Sequence, residues 1–188
     1  TLIYLFDSNH VATDLGGIIH GTVKAVFGRG DEEQKVDVSS LGYRIHRHAH
    51  FLHTVRTHNW RTDARLRDLT INSMSMDRDG SVYDYTGGMH DLETGTVRLG
   101  PNARDGLLLD PNGIMRYFKG ISMFPKAKIS KDDLEFIQDN VHKLAEVRDD
   151  KRTVMNMISI MSSPYRQPAI RLMCKLHIER YLPYAPCE

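Results

Sequence analysis

The spacing of the apolar residues changes just past the middle of the chain, and this change constrains the fold more than any other feature. In the first half, apolar and polar residues alternate in short runs such as "TVKAVF" and "QKVDVSS", which predicts strands joined by glycine-containing turns. In the second half, apolar residues recur every three or four positions, as Ile114, Phe118 and Ile121 do, which predicts helices. The sequence therefore predicts an α+β protein, with a sheet in residues 1–106 and an all-helical part in residues 107–188.

Cap residues predict where these helices begin. Asp110 followed by Pro111 is typical of an N-cap and a first-turn proline, and Ser130 with Asp133 is typical of a capping box. A third helix is predicted around "MNMISIM", and a fourth over residues 168–181. The buried face of the third helix is predicted to consist of Val154, Met157, Ile158 and Met161.

The composition excludes several classes of protein. Of the 188 residues, 40% are hydrophobic and 26% charged, as in ordinary globular proteins, and the formal net charge is +1. A charge this small gives no overall attraction to nucleic acid, so an RNA-binding surface has to be local. Cys174 and Cys187 form neither a metal-binding spacing nor a disulfide framework, which favours a reducing compartment. No apolar run approaches the roughly 18 residues that span a membrane, and no signal peptide is visible.

The segment "RLRDLTINSMSMD", residues 65–77, concentrates arginines and carboxylates around a short apolar run. Arg67, Asp68 and Asn72 suggest a phosphate or nucleotide site, because bidentate donors and carboxylates recognise phosphates and base edges. The alternative interpretation is a short helix with Asp68 near its cap and solvated charges on its surface.

The motifs around this segment carry a resemblance to a known family. "RDLTIN" is followed by "DYTGGMHDL", while "HGTVKAVF" and "VDVSSL" precede it and "DDLEFIQDNVHKLAEV" lies farther on. These motifs resemble those of the class II tRNA nucleotidyltransferases, the CCA-adding enzymes, and of the related bacterial poly(A) polymerases. The resemblance implies a truncated nucleotidyltransferase-type mixed sheet as a partial head domain, followed by a helical neck and the start of an RNA-binding body.

The family's chemistry is phosphoryl transfer with two divalent ions held by an Asp-x-Asp pair after a Gly-Gly loop. The chain contains no such pair. Because it begins at Thr1 without a methionine, either a targeting segment has been removed or the chain is part of a longer product. Asp37 stands where the family carries an acidic strand residue. We interpret Asp37 as a catalytic relic, since a lone carboxylate binds Mg²⁺ poorly, and we expect no metal or other cofactor.

Internal departures from the family pattern predict loss of nucleotide selection. Leu66 replaces the first arginine of an Arg-Arg-Asp motif, and Gly42 stands where a strand ends in arginine. In the family's nucleotide-selecting motif, Leu109 and Gly113 replace a glutamate and an arginine, and only Asp110 remains. The resemblance implies that this Asp and Arg read the base edge of CTP or ATP, and glycine offers no side chain for that purpose. The remnant nucleotide-binding residues would be Arg67, Asp68, Asn72 and Asp110.

The most basic segment, "YRIHRHAHFLHTVRTHNW", allows three interpretations: a solvated loop, a zinc or copper site, or a strip that binds RNA phosphates. The family has a flexible loop without metal ligands here, so we expect no metal. The candidate RNA contacts are Arg44, Arg47, Arg56 and Arg61, joined farther along by Arg116 and Lys119.

The main hypothesis is a catalytically inactive descendant of a tRNA nucleotidyltransferase. It would bind structured RNA, either tRNA or rRNA, or act as a structural subunit of a larger ribonucleoprotein assembly with protein partners and no membrane contact. One alternative is an active, divergent enzyme that uses Mg²⁺ and nucleoside triphosphates, with its Gly-Gly and Asp-x-Asp segment outside this chain. Another is a protein-interaction module alone. The mitochondrial matrix and the cytoplasm both fit.

Overall fold

The computed structural model describes residues 12–14, 22–27, 34–39, 41–47 and 51–185, and the chain divides into two compact units, Thr1–Asn59 and Trp60–Glu188. The first unit contains an antiparallel three-stranded sheet in the order β1-β2-β3 and a separate antiparallel pair, β4-β5. The strands predicted in "TVKAVF" and "QKVDVSS" are confirmed as β2 and β3. The strands among the described residues of this unit are β1 Ala12–Asp14, β2 Thr22–Phe27, β3 Gln34–Ser39, β4 Gly42–Arg47 and β5 Phe51–Arg56.

The second unit combines short strands with helices. Its strands are β6 Ser75–Met76, β7 Val82–Tyr83, β8 Thr96–Val97 and β9 Lys128–Ile129. Its α-helices are α1 Trp60–Arg65, α2 Gly88–Thr94, α3 Ala103–Leu109, α4 Asn112–Ile121, α5 Lys131–Asn140, α6 Lys151–Met161 and α7 Gln167–Lys175. Three 3-10 helices, Thr70–Asn72, Val141–Val147 and Ile178–Arg180, complete the unit. The predicted α+β class is confirmed. In the described residues β8 and β9 pair in parallel and the other strand pairs are antiparallel, but these pairs form separate small sheets, and β9 lies within the part predicted to be all-helical.

Helix α4 lies at the centre of the second unit. Ile114, Met115, Phe118 and Ile121 have no exposed surface, so the helical face predicted from their spacing is confirmed. Full burial of such a side chain stabilises the fold by about 1.5–3 kcal/mol. The backbone of α4 at Gly120 also lies close to the side chain of Leu69, since a Cβ at position 120 would be 2.9 Å from Leu69 Cδ1.

Ser130 is confirmed as an N-cap position, but neither Asp110 nor Ser130 forms the capping hydrogen bond that the sequence predicts. Helix α4 is capped by Pro111, and the side chain of Asp110 forms ion pairs with other elements instead. Ser130 is the N-cap of α5, but its side chain makes no capping hydrogen bond. Its expected partner Asp133 is buried and accepts a hydrogen bond of 2.8 Å from the backbone N–H of Leu99. In each case a tertiary partner competes successfully with the local cap.

The predicted helical boundaries and faces elsewhere need correction. The segment around Asp68 forms only the 3-10 helix Thr70–Asn72, with Leu69 as its N-cap. Helix α6 buries Met157 as predicted, together with Thr153 and Ile160. Three predicted core residues of this helix, Val154, Ile158 and Met161, are exposed. The fourth predicted helix ends at Lys175, before the left-handed residue His177.

The boundary that the sequence predicts between residues 106 and 107 lies within α3 and stays a prediction. Among the described residues, no helix combines the length and the apolar composition that crossing a membrane requires.

Candidate functional site

Two of the predicted nucleotide-binding residues, Asp68 and Asp110, belong to one chain of ion pairs. Asp68 Oδ2 accepts a short hydrogen bond from Arg116 Nε on α4. The same guanidinium places its Nη2 3.9 Å from Asp110 Oδ2. Asp110 Oδ2 also accepts a hydrogen bond of 3.0 Å from Nη1 of Arg152, at the start of α6. The carboxylate of Asp110 therefore lies between two guanidinium groups.

Asp150 positions Arg152 in this arrangement. Arg152 Nη2 lies 2.7 Å from Asp150 Oδ2, and Asp150 also caps α6 by accepting a hydrogen bond of 2.8 Å from the Arg152 backbone N–H. The Arg152 guanidinium lowers the pKa of Asp150 below the usual value of 3.8, against a smaller opposing effect of burial. Asn112 Nδ2 donates to Asp150 at 3.1 Å and its Oδ1 accepts from Thr153 at 2.6 Å, which fastens α4 to α6. We call Asp68, Arg116, Asp110, Arg152 and Asp150 the Asp110 network.

The other two predicted nucleotide-binding residues lie outside this network. Arg67 donates from Nε and Nη2 to Asp63 Oδ2 on α1, at 2.9 and 2.6 Å. Asn72 is exposed at the end of its 3-10 helix. The structure thus brings Asp68 together with Asp110, while Arg67 stabilises the start of the second unit. The nucleotide-binding role of all four stays a prediction.

Position 113 has no room for a side chain. An ideal Cβ on Gly113 would lie 2.7 Å from both Cγ and Cδ1 of Leu107, which is buried on α3. Real Cβ contacts are longer than this, so any larger residue at 113 would displace Leu107 or the helix. Glycine at this position is therefore matched to the packing of α3 against α4.

The predicted RNA-contacting residues of the second unit differ in whether their charge is already engaged by another side chain. Lys119 on α4 is exposed. Arg116 is committed to the Asp110 network, with 36% of its side chain exposed. The Arg61 guanidinium lies 5.7 Å from the centre of the Tyr85 ring, a cation–π contact. Of these three residues, only Lys119 has a charge free of internal contacts in the described part of the chain.

The remaining predicted residues lie in the first unit. Arg44 and Arg47 are on β4, opposite Thr54 and Phe51 of β5 in the strand register. Arg56, at the end of β5, pairs with Gly42. Asp37 is exposed on β3 and pairs in register with Lys24. The roles proposed for Asp37 and these arginines stay predictions.

Two histidines of the basic segment, His48 and His50, lie outside the described residues. Within the part of the chain that is described, no three His, Cys, Asp or Glu side chains are placed to hold a metal ion.

A second network of polar residues surrounds the start of α2. Asp84 accepts hydrogen bonds of 2.9–3.0 Å from the backbone N–H groups of residues 86–89. Partial desolvation raises the pKa of Asp84, but these four donors together outweigh it and lower the pKa below the usual 3.8. Asp91 is buried and accepts from Thr70 Oγ1 at 2.6 Å and from Arg98 Nε at 3.0 Å.

Backbone contact completes this network. A Cβ on Gly88 would lie 2.2 Å from the carbonyl oxygen of Thr70, so only glycine allows α2 to approach the 3-10 helix this closely. We call Thr70, Asp84, Gly88, Asp91 and Arg98 the α2 network. These contacts give the motif "DYTGGMHDL" a structural role, because its two aspartates and Gly88 hold α2 against the 3-10 helix Thr70–Asn72.

The sequence reasoning missed Asp150 and Arg152 as parts of the site. One signal was present, because Asp150 directly precedes the helical run "KRTVMNM" and aspartate is a favoured N-cap. Nothing in the sequence connects this cap with Asp110, although Arg152, two residues after Asp150 and 42 residues after Asp110, contacts both.

Comparisons with known proteins define the class. Residues 3–98, more than half of the chain, match the family described as the poly A polymerase head domain. The chain therefore belongs to this family, and the resemblance to class II tRNA nucleotidyltransferases is confirmed.

Particular relatives agree with this class. The mitochondrial CCA tRNA nucleotidyltransferase 1 of Danio rerio is 32% identical over 68% of this chain and 29% of its own length. The Homo sapiens protein of the same name is 28% identical over 87% of this chain and 37% of its own length. The chain thus spans well under half the length of these two relatives.

Solved structures show the same fold. The CCA-adding enzyme of Bacillus stearothermophilus in complex with CTP has a TM-score of 0.74 at 24% identity, over 94% of this chain and 42% of that one. The Thermotoga maritima CCA-adding enzyme complexed with tRNA has a TM-score of 0.66 at 17% identity, over 95% of this chain and 39% of that one. At these identities the likeness concerns the fold.

Proposed function

We propose that this chain is a noncatalytic member of the CCA-adding enzyme family that binds structured RNA, tRNA or rRNA, as a subunit of a larger assembly with protein partners. The observation that carries the proposal is the state of Asp110. The one residue left from the family's nucleotide-selecting motif is engaged by Arg152 at 3.0 Å and approached by Arg116.

A nucleobase would have to compete with these guanidiniums for the same carboxylate. Charge-assisted hydrogen bonds are roughly twice as strong as neutral ones, so a neutral amino group of cytosine or adenine competes poorly. The partner arginine of the motif is replaced by Gly113, and Leu107 occupies the adjacent space. Loss of one bidentate base contact removes about 1–3 kcal/mol of discrimination. These contacts support the proposal that the protein's own side chains occupy the positions a nucleobase would need.

RNA as the partner is supported by the family. A relative of the same fold, from Thermotoga maritima, has been solved with tRNA bound. Structured RNA is recognised largely by shape and by phosphate contacts, and such contacts do not depend on the catalytic residues. For the location we propose the mitochondrial matrix or the cytoplasm.

The experiment that tests this proposal measures catalysis and binding on the same RNA. The chain is incubated with Mg²⁺, radiolabelled CTP or ATP and a tRNA transcript lacking its 3′ CCA, beside the full-length human relative as a positive control. Binding of the same transcript is measured by fluorescence anisotropy. We expect binding without incorporation of label. Incorporation would support the divergent-enzyme alternative, and absence of both would leave the protein-interaction alternative.

A titration with CTP tests the state of Asp110 directly. We expect no heat of binding by calorimetry from the unmodified chain. The variant L66R/L107A/G113R/R152A restores two arginines, makes room for the second and frees Asp110, and should bind CTP measurably. The single variant L66R serves as the matched control and should not. CTP binding by the unmodified chain would contradict the proposal.

A further inference from the structure

Helix α6 carries no charge beyond its first two residues. The chain has no aspartate, glutamate, lysine or arginine from Thr153 to Tyr165, although 26% of all its residues are charged. The inner side of the helix, formed by Thr153, Met157 and Ile160, is buried. A helix at the surface of a protein normally presents charged or polar side chains on the side turned away from the core. Helix α6 departs from this pattern.

The outer side of α6 is apolar. Four large side chains on it are 38–54% exposed, namely Val154, Met155, Ile158 and Met161. Because a turn of helix takes 3.6 residues, positions 154, 158 and 161 lie on one face and position 155 lies beside them. We call these four residues the α6 apolar stripe. A contiguous apolar surface of this kind is typical of a contact site for another protein.

The α6 apolar stripe is complementary to itself when two copies of the helix pack antiparallel. Methionine occurs three residues before Ile158, as Met155, and three residues after it, as Met161. In a two-fold arrangement centred on Ile158, that side chain meets its counterpart, and Met155 of each copy meets Met161 of the other. Methionine side chains are flexible enough to fill such a contact closely.

The charges at the ends of α6 are compatible with the same arrangement. Lys151 is exposed at the start of the helix. In an antiparallel pair it lies beside the last turn of the other helix, whose carbonyl groups carry partial negative charge. The two Lys151 side chains are then at opposite ends of the contact and do not repel each other. No carboxylate of α6 has to be desolvated, since the helix has none.

The length of the helix limits the strength of the contact. Helix α6 has 11 residues, so it is about 16 Å long. Two helices of this length bury less than the roughly 1,200 Å² at which standard stable complexes begin. A reversible dimer that forms at micromolar or higher concentration is therefore expected.

We infer that the α6 apolar stripe is a dimerisation surface, on which α6 of a second copy of this chain packs antiparallel. A second copy is favoured over an unrelated protein because the apolar residues are arranged symmetrically about Ile158 and the charged residue lies at the end of the stripe. Dimerisation at this surface requires neither RNA nor nucleotide, so it is independent of the proposed function.

Sedimentation velocity of the unmodified chain, without RNA, from about 1 to 300 µM measures the association. Ile158→Glu places two carboxylates against each other at the centre of the contact, and we expect it to weaken the dimer at least about tenfold. Met123→Glu is the matched control, because Met123 is an equally exposed apolar residue outside α6. It should sediment like the unmodified chain. Circular dichroism verifies that each variant is folded.

Two mixtures test the symmetry of the contact. Ile158→Glu mixed with Ile158→Lys should restore the dimer, because position 158 faces itself. Met155→Cys mixed with Met161→Cys should form a disulfide between copies on mild oxidation, whereas Met155→Cys alone should form far less. The bond is located by peptide mass spectrometry, since Cys174 and Cys187 are also present.

Three results would overturn the dimerisation surface. The unmodified chain is a monomer at every concentration, Ile158→Glu and Met123→Glu dimerise equally well, or the mixed cysteine variants form no bond between positions 155 and 161. The first result would leave a different protein as the partner of the stripe. None of the three bears on RNA binding, so the proposed function is judged separately.

Discussion

The α2 network and the Asp110 network are built from the same residue types but have different consequences. In the α2 network, Asp91 has 4% of its side chain exposed and contacts a hydroxyl and a guanidinium, while Asp84 binds four backbone N–H groups. In the Asp110 network, Asp68 and Asp110 are 19% and 14% exposed, and their arginine partners are 36% and 50% exposed.

This difference predicts that the two networks contribute unequally to stability. The buried Asp91 stabilises the fold because removing it deprives polar groups in the interior of an acceptor, and the exposed Asp84 stabilises the start of α2 by accepting from backbone N–H groups. Half-exposed ion pairs contribute little to stability, since water screens them. We therefore expect the α2 network to contribute more to the stability of the fold than the Asp110 network does.

The largest effect is expected at Gly88. Gly88→Ala would place a Cβ 2.2 Å from the Thr70 carbonyl oxygen, and because both groups are backbone the 3-10 helix or α2 has to move. We expect a loss of about 4 kcal/mol in the free energy of unfolding, measured by urea denaturation. Gly106→Ala is the matched control, because nothing lies within 4 Å of its Cβ on α3, and it should stabilise by about 0.5–1 kcal/mol. Equal stability of the two variants would refute the close approach.

The next effect concerns the buried carboxylate of the α2 network. Asp91→Ala removes the acceptor of Arg98 Nε and leaves the hydroxyl of Thr70 with only the longer contact of 3.4 Å to the Arg98 carbonyl oxygen, so we expect a loss of about 2–4 kcal/mol, the lower values reflecting the exposure of Arg98. Asp79→Ala, at a position with 79% of its side chain exposed, should stay within about 0.5 kcal/mol of the unmodified chain. Both are measured by urea denaturation. A cost for Asp91→Ala no greater than that of the control would contradict the role assigned to Asp91.

A smaller effect, dependent on pH, is expected at Asp84. Because folding lowers the pKa of Asp84, its contribution to stability is fully present above the usual value of 3.8 and is lost as pH falls through the lower pKa of the folded state. Asp84→Asn should cost about 1 kcal/mol at pH 7, since one amide oxygen replaces a charged acceptor of four N–H groups.

The pH dependence is measured by denaturing the unmodified chain and Asp84→Asn with urea at several pH values. The difference between them should be constant from pH 7 to about pH 5 and should shrink toward pH 2. A difference that grows on acidification would have the wrong sign and would exclude the backbone hydrogen bonds as its origin.

The smallest effect on stability is expected in the Asp110 network. Arg152 is half exposed, so Arg152→Ala should lower the free energy of unfolding by only about 1 kcal/mol, mainly through the lost contacts with Asp110 and Asp150. Arg148→Ala, which removes an exposed pair with Asp149, should have no measurable effect. A loss above about 3 kcal/mol for Arg152→Ala would place this network with the α2 network as a determinant of the fold.

The spacing of apolar residues predicted the buried side chains correctly where a helix has one distinctly apolar face. Helix α4 has a single apolar face, and the residues predicted for the core are fully buried. Helix α6 carries valine, isoleucine and methionine on several sides, so more than one face fits the period and the prediction named three residues that are exposed. The candidate site could be predicted only in part, because motifs describe neighbours in the sequence. The motifs identified Asp68 and Asp110 as candidates, but the partners Arg116 and Arg152 lie 48 and 42 residues away from them in the chain.

The sequence by itself determined the α+β class, the family and the positions at which the chain departs from the predicted family motifs, because spacing and motifs are local properties of the chain. The tertiary structure decided which side chains surround these positions. Leu107 packs against Gly113, and Arg152 reaches Asp110 only because α6 folds onto α4. A hydrogen bond or an ion pair depends on distances of about 3 Å between atoms far apart in the chain, and these distances exist only once the helices have packed.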